Sequence, residues 1–300
     1  MTEAWGLEEG SMTDEVDSGA FRDMSHDELL SYPTIYRDGL LEGQVVLVSG
    51  GGTGIGIAIA GLCARLGAKV VVCSRKEENL QNASRLLDQI GNPYLTHAMT
   101  IRDPEEVAAL MDNVWETFGQ LDLLVNNAGG QFPQEAIDLT PNGWHAVTDL
   151  NLTGTFFMMQ AAARHWRDRK QTGSVVNITA PVRRGIPQIA HSSAARAGVS
   201  NLAQTLAVEW APLNVRVNCV APGPIESSGL NVYPEEARSS LMRRNTMRRL
   251  GTVMEVAEAV VYIGGPSGSY ITGETLAVDG GQFMWGQMWM VNEPDYYSEQ

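Results

Sequence analysis

Short apolar runs and longer amphipathic segments alternate along most of the chain from residue 44 onward. The apolar runs are continuous and rich in β-branched residues, which is typical of strands buried on both faces of a parallel sheet. The runs that we expect to be strands are QVVLVSG (44–50), KVVVCSR (69–75), PYLTHAMTI (93–101), LDLLVNNAG (121–129), GSVVNIT (173–179), VRVNCVAPG (215–223) and ETLAVDGG (274–281).

Several of the segments between these runs carry signals for the start of a helix. Asp103 precedes a proline and two glutamates, a sequence that satisfies free backbone N–H groups and suits the positive end of a helix. Thr140 before Pro141 opens another helix, which we expect to continue in two pieces. A later helix is predicted over about 192–210.

Repeated strand–helix units predict an α/β fold with helices on both faces of the sheet. Right-handed crossovers make this a Rossmann-type, doubly wound parallel sheet of seven strands. We expect a single domain over residues 41–282, with a substrate loop at about 226–249. Residues 1–40 are predicted to be an acidic N-terminal extension, and 283–300 a C-terminal tail.

Composition limits the possible classes of function. The 300 residues carry a net charge of −14, which disfavours nucleic-acid binding because phosphate affinity depends on Lys and Arg. No apolar run approaches the ~20 residues of a membrane span, and no secretory signal pattern is present. The three cysteines are far apart and the histidines lack metal-site spacing, so we expect a cytoplasmic protein without a metal.

The acidic leader is open to two interpretations. The first 40 residues hold ten of the 35 acidic side chains and only two arginines. Such a segment can be a solvated extension. Its aromatic and leucine residues would also let it dock on a neighbouring subunit or at the entrance of a site.

The stretch SGGGTGIG, from Ser49 to Gly56, joins the first predicted strand to the first helix. Glycines there allow a tight turn and close approach of the backbone to a pyrophosphate, while the helix N-terminus supplies N–H donors. We therefore expect a dinucleotide to bind at this turn. The residues expected to contact it are Ser49, Gly50, Thr53, Gly54 and Ile55.

The end of the second strand indicates which dinucleotide binds. An acidic residue there would hold the ribose diol of NAD, but the chain has Ser74 and Arg75. A hydroxyl and a cation suit the 2′-phosphate of NADP, so NADP(H) is the expected cofactor. Alternatively, Arg75 and Lys76 are ordinary solvated charges and Glu77 reaches the ribose.

Together these motifs resemble the short-chain dehydrogenase/reductase family over nearly the whole predicted domain. The matching motifs are SGGGTGIG (49–56), NNAGG (126–130), NLTGTF (151–156), VNIT (176–179) and NCVAPGPI (218–225). The resemblance implies a homotetramer or homodimer. It also implies further cofactor contacts at Thr100, Ile101, Asn127, Ala128, Gly129, Pro222, Gly223 and Ile225.

The resemblance weakens at the catalytic residues. Family members usually have Asn, Ser, Tyr and Lys; here Asn151 matches, while the other positions hold Ala180, Ser192 and Arg196. Arg196 can still donate to a ribose, but it stays charged and cannot relay protons. His191, beside Ser192, is either a catalytic acid or a residue that bonds to backbone.

Loss of the tyrosine favours a reaction that collects negative charge on a thioester oxygen, because hydrogen-bond donors can do much of the work there. The motifs around these positions are similar to peroxisomal trans-2-enoyl-CoA reductases and to bacterial enzymes of citronellol or terpenoid breakdown. We therefore expect an oxidoreductase acting on an enoyl-CoA. The alternatives are an alcohol or ketone dehydrogenase on a terpenoid or steroid-like molecule, and a redox-silent dinucleotide binder. Tyr233, in the predicted substrate loop, could either pack as a lid residue or cover the site.

Overall fold

Within the described residues, 20–239, 241 and 245–284 of a computed structural model, seven parallel strands form one sheet. They are β1 (Val45–Ser49), β2 (Lys69–Ser74), β3 (Tyr94–Ala98), β4 (Leu123–Asn126), β5 (Gly173–Ile178), β6 (Val215–Pro222) and β7 (Thr275–Val278). Their order across the sheet is β3-β2-β1-β4-β5-β6-β7. The predicted single-domain α/β fold is confirmed.

Helices cover both faces of this sheet. They are α1 (His26–Ser31), α2 (Gly54–Arg65), α3 (Glu77–Ile90), α4 (Pro104–Phe118), α5 (Pro141–Thr148), α6 (Thr155–Arg169), α7 (Ala190–Glu209), α8 (Glu235–Ser239) and α9 (Val253–Gly264). One apolar core lies between the sheet and α2, α3 and α9, and the other between the sheet and α4, α6 and α7. No helix in the described ranges is long and apolar enough to span a membrane.

The predicted strands are longer than the observed ones at their carboxyl ends. The apolar run of the third strand reaches residue 101, yet β3 ends at Ala98, and β4 ends at Asn126. The residues that follow these strands leave the sheet and line a crevice. This crevice forms where the strand order reverses, because β1 has β2 on one side and β4 on the other.

The described part of the leader packs on the domain. Ser25 and Glu28 form a capping box that starts α1, and Leu29 is only 2% exposed. Arg65 of α2 donates hydrogen bonds to the carbonyl groups of Leu29 and Tyr32, at 2.9 and 2.8 Å. Residues 1–19, and all of the tail from residue 285, lie outside the described residues.

Candidate active site

A cleft of about 840 Å³ opens at the carboxyl ends of the strands. One half, the nucleotide side, is built from the glycine-rich turn after β1 and from the ends of β2 and β4. The other half, the catalytic side, is defined by Gln131, Ser192, Arg196 and Tyr233. Ala180, at the end of β5, lines the cleft together with Pro222, Gly223 and Ile225 after β6.

The glycine-rich turn brings backbone N–H groups to the nucleotide side. Gly50 has a φ of +65°, which favours glycine, and a side chain on Gly56 would meet the Gly50 carbonyl oxygen. Thr53 precedes α2 without capping it by its side chain, and the N-terminus of α2 borders the cleft. Thr53, Gly54 and Ile55 all line the cleft there.

Ser49 lies behind this turn rather than at the cleft. Its hydroxyl accepts hydrogen bonds from the backbone N–H groups of Asn127 and Ala128, at 3.1 and 3.0 Å. The Asn127 side chain donates to the carbonyl oxygens of Ser49 and Gly50, at 3.0 and 3.1 Å. These contacts fasten the end of β4 to the turn, and they present Asn127, Ala128 and Gly129 to the cleft.

The far end of the nucleotide side carries a free cation. Ser74 and Arg75 line the cleft, and Arg75 is exposed and makes no ion pair with any described residue. Lys76 instead pairs with Glu78 at 3.2 Å. Ile101 also lines this end, whereas the Thr100 backbone N–H is bonded to the Glu106 carboxylate at 2.6 Å.

Asn151 holds the backbone that leads into the catalytic side. It lies in a π-helical segment, Asp149–Gly154, that joins α5 to α6, the two pieces predicted for this helix. Its amide oxygen accepts from the Gly130 N–H and its amide nitrogen donates to the Gly130 carbonyl, both at 2.9 Å. Asn151 is 4% exposed, so the side chain fixes Gly130 from behind.

Gln131, the next residue, links the catalytic side together. The Ser192 hydroxyl donates to the Gln131 amide oxygen at 2.6 Å, and the Gln131 amide nitrogen donates to the Tyr233 hydroxyl. Ser192 is fully buried, whereas Gln131 and Tyr233 line the cleft. In this arrangement Ser192 orients Gln131, and Gln131 and Tyr233 present polar atoms to a ligand.

Arg196 lies one helical turn after Ser192 and is the last of the four residues that define the catalytic side. It donates to the carbonyl oxygens of Ile178 and Thr179, at 2.9 and 3.1 Å, and to the Ser192 hydroxyl at 3.3 Å. Burial lowers the pKa of the Arg196 guanidinium, and its interaction with the Tyr233 phenol opposes that shift. Arg196 therefore places a positive charge between the end of β5 and the substrate loop.

His191 is buried next to Ser192. It is 1% exposed, its ring meets Phe132 edge to face at 4.6 Å, and its Nδ1 accepts the Ser192 backbone N–H at 2.8 Å. Burial lowers the pKa of the imidazole. His191 is not among the described residues that line the cleft.

Residues 50–282 match the family model described as "Enoyl-(Acyl carrier protein) reductase". This match extends from the glycine-rich turn past the end of β7. The chain belongs to the short-chain dehydrogenase/reductase family.

Curated and solved members of the short-chain dehydrogenase/reductase family include close matches. "Probable 2,4-dienoyl-CoA reductase [(2E)-enoyl-CoA-producing]" of Bacillus subtilis is 39% identical, covering 81% of this chain and 98% of that protein. A peroxisomal 2,4-dienoyl-CoA reductase of Danio rerio is 37% identical, covering 87% and 89%. The structure of the citronellol catabolism dehydrogenase AtuB of Pseudomonas aeruginosa has a TM-score of 0.75 and 36% identity, covering 84% of this chain and 100% of that one.

As a member of the short-chain dehydrogenase/reductase family, the protein is an oxidoreductase that uses a nicotinamide dinucleotide. The alternative of a redox-silent dinucleotide binder is thereby set aside. The nucleotide side fits the cofactor, because the start of α2 supplies backbone N–H groups for a pyrophosphate. The backbone is also packed so closely at Gly56 that no side chain fits there.

Sequence reasoning passed over two residues of the site. Gln131 directly follows the NNAGG motif (126–130), and this position was a usable signal. Asp23 of the acidic leader accepts a hydrogen bond from the Gly54 N–H at 3.1 Å and from the Ser228 N–H at 2.7 Å. The leader therefore joins the nucleotide side to the substrate loop, a contact that no local pattern indicates.

Proposed function

We propose that this oxidoreductase reduces the conjugated double bond of an enoyl- or dienoyl-CoA thioester with NADPH. Two kinds of support meet in this proposal. The curated relatives from Bacillus subtilis and Danio rerio are named as 2,4-dienoyl-CoA reductases. In addition, α7 carries Ser192 where the usual tyrosine would stand, beside the charged Arg196.

The preference for NADPH rests on Arg75. This exposed cation lines the nucleotide side without an ion pair to the described residues, next to the Ser74 hydroxyl. A guanidinium and a hydroxyl would bind the 2′-phosphate through charge-assisted hydrogen bonds. Glu77, the alternative partner for a ribose diol, is exposed in the first turn of α3 and is not among the described residues that line the cleft.

The single observation that carries the proposal is the chain of hydrogen bonds from Ser192 through Gln131 to Tyr233. When bound, the nicotinamide would supply a hydride to the substrate. Negative charge then develops on the thioester oxygen, and preorganised donors in a cleft stabilise such charge strongly. The Gln131 amide and the Arg196 guanidinium are the groups that we assign to this task.

The remaining predicted catalytic residues would act indirectly, by positioning the groups that contact the ligands. Asn151 would keep Gly130 and Gln131 in place through its paired hydrogen bonds. Ser192 would fix the orientation of the Gln131 amide. Arg196 would also approach the cofactor ribose, because its Nη2 lies 3.2 Å from where a side chain on Gly129 would begin.

The proposal is tested by following NADPH absorbance with trans-2-enoyl-CoA and 2,4-dienoyl-CoA thioesters of several chain lengths. We expect oxidation of NADPH, and a product with one double bond fewer by mass spectrometry. NADPH binding without turnover of any thioester would contradict the proposal. An NADH series at equal concentration checks the cofactor preference.

A second candidate is an alcohol or ketone dehydrogenase acting on a terpenoid-like molecule. It is favoured by the likeness to the solved citronellol catabolism dehydrogenase. The cleft wall formed by Leu230, Val232 and Pro187 would accommodate a branched hydrocarbon. A panel of terpenoid alcohols with NADP⁺ discriminates the two, since only this candidate predicts NADPH formation.

We further propose that the protein acts in the cytoplasm as a homotetramer or homodimer. The free Cys63, Cys73 and Cys219 are buried, as suits a reducing compartment. Among the described strands β7 lies at one edge of the sheet, its Leu276 and Val278 are only half-buried, and a second subunit would cover this edge. Light scattering during size-exclusion chromatography measures the mass directly.

A further inference from the structure

Tyr233 brings a phenol to the catalytic side of the cleft, to which α7 contributes no tyrosine. It follows the short 3₁₀ segment Ser228–Val232 in the substrate loop and lines the same cleft as Arg196 and Gln131. The Gln131 amide donates to its hydroxyl oxygen. A phenol that accepts an N–H through its oxygen keeps its O–H bond, and the accepted hydrogen bond stabilises the phenolate that proton donation would leave.

In the structure the Gln131 amide turns its nitrogen toward Tyr233. Its oxygen already accepts the Ser192 hydroxyl hydrogen at 2.6 Å, so its nitrogen is directed to the phenol. Ser192 in turn accepts a hydrogen bond from the Arg196 Nε at 3.3 Å. The guanidinium thus polarises a chain of donors that ends on the tyrosine oxygen.

The segment that carries Tyr233 is tied to the leader. Asn231 and Phe21 exchange two hydrogen bonds between side chain and backbone, each 2.9 Å long. The Ser228 N–H donates to Asp23 at 2.7 Å, and Arg238 lies over the Phe21 ring at 5.9 Å. These contacts on both sides of Tyr233 hold its backbone at the cleft.

The other candidate acids are poorly suited to the task. Of the described residues that line the cleft, the side chains with an ionisable hydrogen besides Tyr233 and the arginines are Cys73 and Glu135. Burial raises the pKa of the Cys73 thiol to about 12, and Cys73 lies on the nucleotide side. Glu135 is exposed and is bonded neither to Gln131 nor to Ser192.

We propose that Tyr233 is the proton donor of the reduction, a catalytic residue supplied by the substrate loop instead of α7. This role rests on the proposed function. Hydride adds to the far end of the conjugated system, and the π electrons move onto the thioester oxygen as an enolate. The Tyr233 O–H bond then breaks, its proton forms a C–H bond at the α carbon, and the thioester carbonyl is restored. The phenolate recovers a proton from water.

The test is Tyr233→Phe in the full chain, with Tyr270→Phe as the control. Tyr270 is fully exposed, so the control makes the same chemical change away from the cleft. With the best thioester substrate, we expect Tyr233→Phe to lower kcat by about 10²–10⁴-fold, the range of general acid catalysis, while KM changes little. Tyr270→Phe should behave as the wild type.

A pH profile separates proton donation from a packing role. Ionisation of the phenol should make the wild-type kcat fall at alkaline pH, and Tyr233→Phe should lack this alkaline limb. Fluorotyrosine at position 233, which preserves shape but ionises more readily, should move the limb to lower pH. An unchanged limb in both variants would overturn the role of Tyr233, as would a kcat for Tyr233→Phe within a few fold of the wild type.

The two proposals fail in different ways. A wild-type protein that binds NADPH but reduces no thioester contradicts the proposed function, and the role of Tyr233 in it falls with it. A wild-type protein that reduces thioesters, beside an equally active Tyr233→Phe variant, removes only the tyrosine from the mechanism.

Discussion

The two sides of the cleft differ in the groups that form them: backbone groups on one side and side chains on the other. The nucleotide side consists of backbone groups from adjacent strand ends and the start of α2, locked by Ser49 and Asn127. The catalytic side consists of side chains that meet from α7, the segment after β4 and the loop after β6. A site formed by backbone groups keeps its binding geometry through most substitutions, provided that its glycines remain. A site formed by side chains changes its chemistry when those side chains are substituted.

This difference explains how an oxidoreductase of this fold can lack the usual tyrosine. Binding of the dinucleotide that donates the hydride depends on the nucleotide side, whose glycine-rich turn is intact. In the proposed reaction, donors from three segments of the catalytic side would stabilise the charge that develops on the substrate. Substitutions on the two sides should therefore affect different measurements.

The largest effect on the nucleotide side is expected from Gly56→Ala. The added methyl group would overlap the Gly50 carbonyl oxygen and approach the Asn127 side chain at 2.5 Å. Overpacking of about 3 kcal/mol would weaken NADPH binding by about 100-fold. Nucleotide fluorescence measures the affinity. Gly229→Ala is the control, because among the described residues a side chain there meets only the Ser227 hydroxyl, at 3.4 Å, and equal affinities in the two variants would contradict the account.

Arg75→Ala sharpens the assignment of the cofactor. Loss of charge-assisted hydrogen bonds worth about 1.5–3 kcal/mol should raise the KM for NADPH by roughly 10–100-fold and leave that for NADH unchanged. Lys76→Ala is the matched control, because Lys76 is already paired with Glu78. Parallel increases in both KM values would show that Arg75 does not contact a 2′-phosphate.

The sequence predicted the nucleotide side far better than the catalytic side. Strand ends, glycines and a helix start follow one another within a few residues, so local patterns predicted the turn from Gly50 to Gly56. Gln131 and Tyr233 are about a hundred residues apart, and no local periodicity brings them together. The same limit applies to Asp23, which reaches Gly54 and Ser228 only after the leader has packed on α2.

Asp23→Ala tests the connection between the two sides. The carboxylate accepts one N–H from the start of α2 and one from the substrate loop. Losing both hydrogen bonds should lower the free energy of unfolding by about 1–2 kcal/mol and raise the KM for the substrate. Denaturant unfolding and steady-state kinetics measure the two effects. Asp27→Ala is the control, since Asp27 lies exposed in α1, and identical results for the two variants would exclude the connection.

The smallest effect concerns the far end of the substrate loop. Arg249 donates two hydrogen bonds to Glu255, at 3.0 and 2.6 Å, and holds the pKa of this carboxyl below its usual value. A lowered folded-state pKa gives stability above the unfolded value of about 4.3, and this stability is lost as the pH falls through the folded-state pKa.

Glu255→Gln should therefore cost about 0.5–1 kcal/mol at neutral pH, because both side chains are partly exposed, and nothing at strongly acidic pH. The amide can still accept the Thr252 N–H that caps α9. Urea unfolding at several pH values measures this difference. A cost that persists in acid would assign the effect to packing instead of charge.

Stabilisation of negative charge on a thioester oxygen is tested most directly with acetoacetyl-CoA, which forms an enolate with its own ultraviolet absorbance. At fixed pH and with NADP⁺ present, the wild-type protein should increase the enolate absorbance of the bound thioester, and Gln131→Leu should reduce this increase. A bound thioester whose absorbance is identical to that in buffer, with binding shown by calorimetry, would contradict the account.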